Sequence, residues 1–333
     1  MSISSSKNWA VEEYVGRILQ GDRVALGKAI TLVESTRQEH RQKADAILEN
    51  CLPYTGNSFR LGITGPPGVG KSSFIEAFGG MLTMEHGRRL AVLAIDPSSQ
   101  VSHGSILGDK TRMEQLSNDP NAFIRPSPAG KTLGGVTNCT HEAILLCEAA
   151  GFDTIFIETV GVGQSETAVA DLVDFLLLLL LPGAGDELQG IKRGIVEMAD
   201  LIAINKADGE RLELAKAARK DYAQALHLFP AKESGWQPKA ETCSALTRAG
   251  LDEVWGAMVD YQGIVRENGW FERNRLGQIR KQFSAQHELQ LRQFLFSSNE
   301  YVQKYEAFEK AVLAGQISIR NAISQLLENF NTQ

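Results

Sequence analysis

Gly65-Pro66-Pro67-Gly68-Val69-Gly70-Lys71-Ser72 is the stretch on which the architecture turns. It fits G-x-x-x-x-G-K-[ST] at every fixed position, follows the strand-like Leu61-Gly62-Ile63-Thr64 and precedes the helical pattern Ser73-Phe74-Ile75-Glu76-Ala77-Phe78. Its glycines let the backbone turn tightly and aim successive N–H groups inward, and the helix that follows adds its positive end. Strand, loop and helix together make a phosphate cradle. Gly65, Gly68, Val69, Gly70, Lys71, Ser72 and Ser73 are the expected contacts, with Lys71 bridging β- and γ-phosphates and the Ser72 hydroxyl ligating Mg2+. A nucleoside triphosphate is the expected ligand.

Outward from that loop, between Phe59 and about Gly263, short apolar runs alternate with longer amphipathic stretches, the rhythm of β-α units with buried parallel strands. The expected strands are Phe59 to Thr64, Leu90 to Asp96, Thr154 to Glu158, Phe175 to Leu181, Leu201 to Asn205 and Ala240 to Ser244. A helical pattern leads in from Val11 to about Leu52, and another, without strands, runs from Gly263 to the end. The fold class is α/β: a P-loop three-layer α/β/α domain with a mostly parallel sheet, plus N-terminal and C-terminal helical extensions. The expected division is 1–55 helical, 56–265 nucleotide-binding and 266–333 helical, the last a dimerisation segment.

In an open α/β sheet, ligands bind beyond the carboxyl ends of the strands. Leu201-Ile202-Ala203-Ile204 ends in Asn205-Lys206-Ala207-Asp208, an N-K-x-D. A carboxylate at Asp208 accepts both the N1–H and N2–H₂ donors of guanine, a pair that adenine lacks. Asn205 would tether the base and its loop, the Lys206 stem would cover the ring, and the turn at Ser244-Ala245 offers backbone N–H groups to guanine O6. The expected ligand is GTP or GDP rather than ATP. Asp96 and Glu158 end strands, and Asp109 lies in Gly108-Asp109-Lys110-Thr111-Arg112-Met113. With Lys71 they form the expected catalytic set, and with Ser72 the expected metal set. Because Mg2+ takes only one or two carboxylates directly, the sequence leaves open which of the three bind it. Glu158-Thr159-Val160-Gly161 resembles a switch element in which the Gly161 N–H contacts a γ-phosphate.

The 34 basic and 40 acidic residues give a formal charge of −6, which supplies no field for nucleic acid. Hydrophobic residues at 43% and charged residues at 22% describe a globular chain. Glu12, Glu13 and Arg17 interrupt the first apolar positions, and the longest apolar run, Phe175 to Leu181, is too short to span a membrane. A cytoplasmic protein without membrane or nucleic-acid partners is expected. The four cysteines show no C-x-x-C pair and read as reduced thiols.

Taken together, G-P-P-G-V-G-K-S, I-D-P-S-S, G-D-K-T-R-M, E-T-V-G-V-G-Q-S-E and N-K-A-D resemble the MeaB/ArgK family of SIMIBI-class GTPases over nearly the whole chain. Glu158 matches the family's glutamate, and Leu188-Gln189-Gly190-Ile191-Lys192 its additional switch loop. The resemblance implies a homodimeric GTPase, and because the sequence identifies no self-supplied arginine finger, its turnover is expected to be slow alone and stimulated by its partner. That partner would be an adenosylcobalamin-dependent acyl-CoA mutase, typically methylmalonyl-CoA mutase, whose cofactor loading it gates and whose loaded form it protects. By the same resemblance, Lys71 and Ser72 bind phosphate and metal, Asp96, Asp109 and Glu158 surround Mg2+, Asn205 and Asp208 read guanine, and Lys192 belongs to the loop that senses the mutase. Without a D-x-H-x-x-G, the chain itself is not expected to carry cobalamin.

Two other classes compete. An ATP-dependent kinase of a lysine/arginine/ornithine transport system would sit uneasily with Asp208 and with the absence of H-R-D and D-F-G signatures. A nickel or cobalt metallochaperone would need a Cys/His cluster, which His103, Cys139 and His141 do not make.

Overall fold

Seven parallel strands form one sheet in the order β3-β2-β4-β1-β5-β6-β7 in the computed structural model, which describes residues 9–96, 113–128, 133–159, 169–183 and 193–328. The strands are β1 (Phe59–Thr64), β2 (Leu90–Asp96), β3 (Ala122–Pro128), β4 (Thr154–Thr159), β5 (Phe175–Leu180), β6 (Leu201–Ile204) and β7 (Lys239–Thr242). Strands β1, β4, β5 and β6 are buried at every residue. The continuous apolar runs of β5 and β6 are what burial on both faces requires, and β1 and β4 depart from it at Arg60 and at the polar ends of β4. In β5 the alternation is explicit: Phe175, Leu177 and Leu179 enter one core, and Leu176, Leu178 and Leu180 the other.

The first core packs α4 (Lys71–Met84) and α9 (Leu251–Glu267) on the sheet, with Phe78 stacked on Phe156 at 5.8 Å between ring centroids. The second core holds α1 (Val11–Leu19), α2 (Arg23–Val33), α3 (Gln38–Cys51), α6 (Leu133–Ala149), α7 (Arg193–Met198) and α8 (Leu212–Leu226). The N-terminal helical lead is thus three helices that share the core of the sheet. The break between the first two is set by Gly21, at φ +77°, and by Asp22, whose carboxylate accepts from Val24 N at 2.8 Å and Ala25 N at 3.1 Å to cap α2.

Strand β3 is the one that the apolar pattern does not announce, because Pro126 and Pro128 break it. Among the described residues it pairs only with β2 and lies at the sheet edge, where a missing N–H is tolerated. Short α5 (Glu114–Asn118) precedes it. The other strand boundaries differ from the expected ones by a residue or two.

The chain divides into two units, Met1–Gln278 and Ile279–Gln333. Helix α10 (Trp270–Ser297) runs across the boundary; α11 (Asn299–Leu313) and α12 (Ile319–Glu328) complete the second unit. There Ser298 caps α11, and Phe296 meets Tyr301 and Tyr305 edge-on at 5.2 and 5.1 Å. Among the described residues, no helix is long and apolar enough to cross a membrane.

Candidate functional site

Strand register brings the polar strand ends to one edge. Glu158 stands beside Ile63 of β1 and Ala94 of β2, so Glu158 and the end of β2 at Asp96 border the loop that leaves β1. The Thr159 hydroxyl donates to that of Thr64 at 2.9 Å, which ties the ends of β4 and β1 together below the loop.

The loop itself needs glycine. A Cβ on Gly65, at φ +150°, would press into the Leu179 carbonyl of β5, and Gly70 turns into α4 at φ +94°. Lys71 opens the helix and donates from Nζ to the carbonyls of Gly65 at 2.7 Å and Pro66 at 3.3 Å, so its ammonium lies within the cradle. The Ser72 hydroxyl lies 3.4 Å from Glu158 Oε1, and Glu158 is buried.

The Asn205 to Asp208 loop is locked to the phosphate loop. Asn205, buried at the end of β6, donates from Nδ2 to the Val69 carbonyl at 2.9 Å and accepts at Oδ1 from Ala245 N at 3.2 Å. Lys206 adopts φ +61° and donates to the Gly68 carbonyl at 2.8 Å. Asp208 accepts from the buried Ser244 hydroxyl, which also accepts from Thr247 N at 3.1 Å. Burial pushes the neighbouring Cys243 thiol up to about 12, so it stays neutral.

The α4 start and the Asn205 to Asp208 loop border an open cavity of about 810 Å³ whose walls include Gly70, Ser73, Asn205, Lys206, Asp208 and Ala245. Of the residues expected from sequence, those six line the cavity; Ser244 reaches it through its bond to Asp208, and Lys71, Ser72 and Glu158 stand at the adjoining loop and strand end. Asp96 ends β2 beside them; Asp109, Gly161 and Lys192 lie outside the described residues. Ser244 enters differently from its expected role. Its N–H donates to the Ala249 carbonyl at 2.9 Å, and its hydroxyl acts on Asp208. Sequence reasoning also missed Glu76, Gln115, Arg211, Leu246 and Arg248 in the cavity wall. Only the helical spacing of Ser73, Glu76 and Ala77 hints at one of them.

Residues 26–300 match the family described as methylmalonyl Co-A mutase-associated GTPase MeaB. The chain belongs to the MeaB family. It is therefore a GTPase and binds guanine nucleotides. MeaB-like relatives extend over almost its full length. It is 46% identical over 326 residues to the GTPase ArgK of Escherichia coli, covering 96% of this chain and 97% of that protein. It is 44% identical over 341 residues to the methylmalonic aciduria type A homolog, mitochondrial, of Mus musculus, covering 99% and 82%. Among solved structures it resembles a LAO/AO transport system kinase at TM-score 0.77 and 39% identity, over 97% of this chain and 98% of that one. The shared fold is the seven-stranded parallel sheet with helices on both faces.

Proposed function

We propose that this GTPase uses the cavity between the phosphate loop and the Asn205 to Asp208 loop to bind GTP and GDP, and that hydrolysis there times a chaperone's action on another protein. The observation that carries the nucleotide reading is the Asp208 carboxylate held by the Ser244 hydroxyl beside the phosphate cradle. A carboxylate so held pairs with two guanine donors and has no such pair in adenine.

Mg2+ fits the chemistry of the residues present, because the Ser72 hydroxyl and the Glu158 carboxylate are hard oxygen donors 3.4 Å apart at the loop. Bound there, the ion would neutralise charge on the β- and γ-phosphates. The chain's own groups do the remaining work: loop N–H groups and the Lys71 ammonium hold the phosphates, and Asn205 keeps the base and phosphate loops in one register. Asp96 and Asp109 join the metal side in this reading.

The client is an adenosylcobalamin-dependent acyl-CoA mutase, methylmalonyl-CoA mutase or a close relative, whose cofactor loading the GTPase gates and whose loaded form it protects. The family description and the mouse relative's name support it. Turnover is slow alone and faster with the mutase, in the cytoplasm. The protein acts as a homodimer. Support comes from α10, where Ile279, Phe283, Leu291 and Phe294 share an exposed stripe with both phenylalanines at least 70% exposed, an apolar face suited to a second copy.

A transport-system kinase is the second reading, favoured by the name of the solved relative. One experiment separates them: purified protein is given GTP or ATP, with and without apo-mutase and adenosylcobalamin. Hydrolysis of GTP that rises with the mutase supports the chaperone, whereas ATP use with phosphate transferred to a transport protein overturns it.

A further inference from the structure

Past Ser73, the cavity has one wall that belongs to none of the nucleotide motifs. Glu76 and Ala77 on one side of α4 meet Gln115 of α5 there. Helix α5 begins at Glu114, and Met113 at its N-cap position offers no side-chain cap to the first amides. Glu76 supplies that cap from the neighbouring helix: its Oε1 accepts from Gln115 N at 2.7 Å and from Leu116 N at 3.3 Å, and its Oε2 lies 3.4 Å from Leu116 N. A carboxyl oxygen accepting from two successive amides satisfies donors that the helix itself leaves open.

A second contact closes the same seam. Leu116 is fully buried against α4 at Gly79, where an added Cβ would stand 2.9 Å from Leu116 Cδ2 and 2.7 Å from Leu90 Cδ2. The α4 surface thus gives α5 one polar and one apolar seat, one turn apart, and both lie on the helix that starts at Lys71.

We propose that Glu76 is a positioning residue for nucleotide retention: by capping α5 from the phosphate-loop helix it holds the Gln115 side of the cavity closed around the bound nucleotide. This rests on the reading of the cavity as the guanine-nucleotide site. The proposal concerns how long the nucleotide stays, since Glu76 acts through α5 rather than on the reacting phosphates.

The test is release of a fluorescent GDP analogue from the full chain, chased with excess GDP, alongside thermal unfolding. Glu76→Ala should release the nucleotide roughly tenfold faster, the size of effect that a lost cap has on an equilibrium. Glu76→Gln keeps an acceptor oxygen in place and should stay within about threefold of the unmodified protein. Gly79→Ala leaves Glu76 intact and adds a better helix former, so faster release from it reports the displaced Leu116. Unchanged release from Glu76→Ala overturns the proposal, and so does equally fast release from Glu76→Ala and Glu76→Gln. If the unmodified protein fails to bind the analogue, the guanine-nucleotide reading falls and takes this inference with it; normal binding with indifferent variants removes this inference alone.

Discussion

Asn205 donates from Nδ2 to the Val69 carbonyl at 2.9 Å, a bond that joins the N-K-x-D loop to the phosphate loop across 136 residues of sequence. The other side of the same amide accepts from Ala245 N, so one buried group fixes three segments. Asn205→Ala should leave a carbonyl and an N–H without that partner and cost about 1–3 kcal/mol of stability. GDP affinity should fall as well, because the two loops lose their common register. Asn205→Asp keeps the acceptor for Ala245 but turns a carboxylate oxygen toward the Val69 carbonyl, and should be no better than alanine. Urea unfolding and GDP titration of both variants check this; a variant as stable and as tight as the unmodified protein contradicts it.

The Ser244 hydroxyl holds the Asp208 carboxylate, the group proposed to read the base, so selectivity should respond to it without any contact with phosphate. Asp208→Asn should erase the preference for GTP over ATP, since an amide carries only one acceptor oxygen. Ser244→Ala should lower GTP affinity by roughly tenfold or less, about 1.4 kcal/mol, and leave ATP binding unchanged. Competition of GTP and ATP for a fluorescent nucleotide measures both. Equal losses for the two nucleotides would mean that Ser244 holds the loop rather than the reading group.

What was legible in the sequence is what the backbone dictates locally. Gly65 and Gly70 are required by dihedral angles that other residues resist, and the apolar runs of β5 and β6 are required by burial on both faces. Contacts between distant segments left no such mark. Helical periodicity in α1 to α3 shows that one side is buried but not that it packs on the sheet. The prolines of β3 read as turn residues until its edge position is known. Ser244 was legible as a member of the site, but its hydroxyl finds Asp208 only through a turn whose N–H is spent on Ala249.

At the far end of β1, Arg60 and Glu148 form a buried pair, with bonds of 3.1 Å from Nε and 2.9 Å from Nη2. Burial pushes the Glu148 carboxyl up, but Arg60, hydrogen bonds from Ser58 and Gly56 N, and Arg275 together hold it below the ordinary value. Glu148→Ala strands the Arg60 guanidinium and should cost about 3–5 kcal/mol, whereas the double change Arg60→Met with Glu148→Leu should cost less than the single one. Because the carboxyl is depressed, its contribution is present above the unfolded value and is lost as pH falls below it. Denaturant unfolding of the single and double variants decides it; a double variant at least as unstable as the single would show that the pair is a net source of stability.

Next to this network two groups on α6 titrate in opposite senses. Burial pushes Glu142 up to about 7, the Asp45 carboxylate adds to it, and Arg41 partly offsets both. Burial, then the Arg60 charge, pushes His141 down to about 4. For Glu142 the folded state holds the proton more tightly than the unfolded state, so its stabilisation is complete below pH 4.5 and drains away as pH rises to about 7. For His141 the folded state resists protonation, so stability is lost as pH falls from 6.5 toward 4. Glu142→Gln keeps a neutral group at all pH values and isolates the first effect from the second. The variant should be about 1–3 kcal/mol more stable than the unmodified protein at pH 8 and nearly equal to it at pH 4.5. Urea unfolding at the two pH values is the measurement. A gain that is the same at both would trace to packing rather than to the charge, because only the charge disappears on acidification.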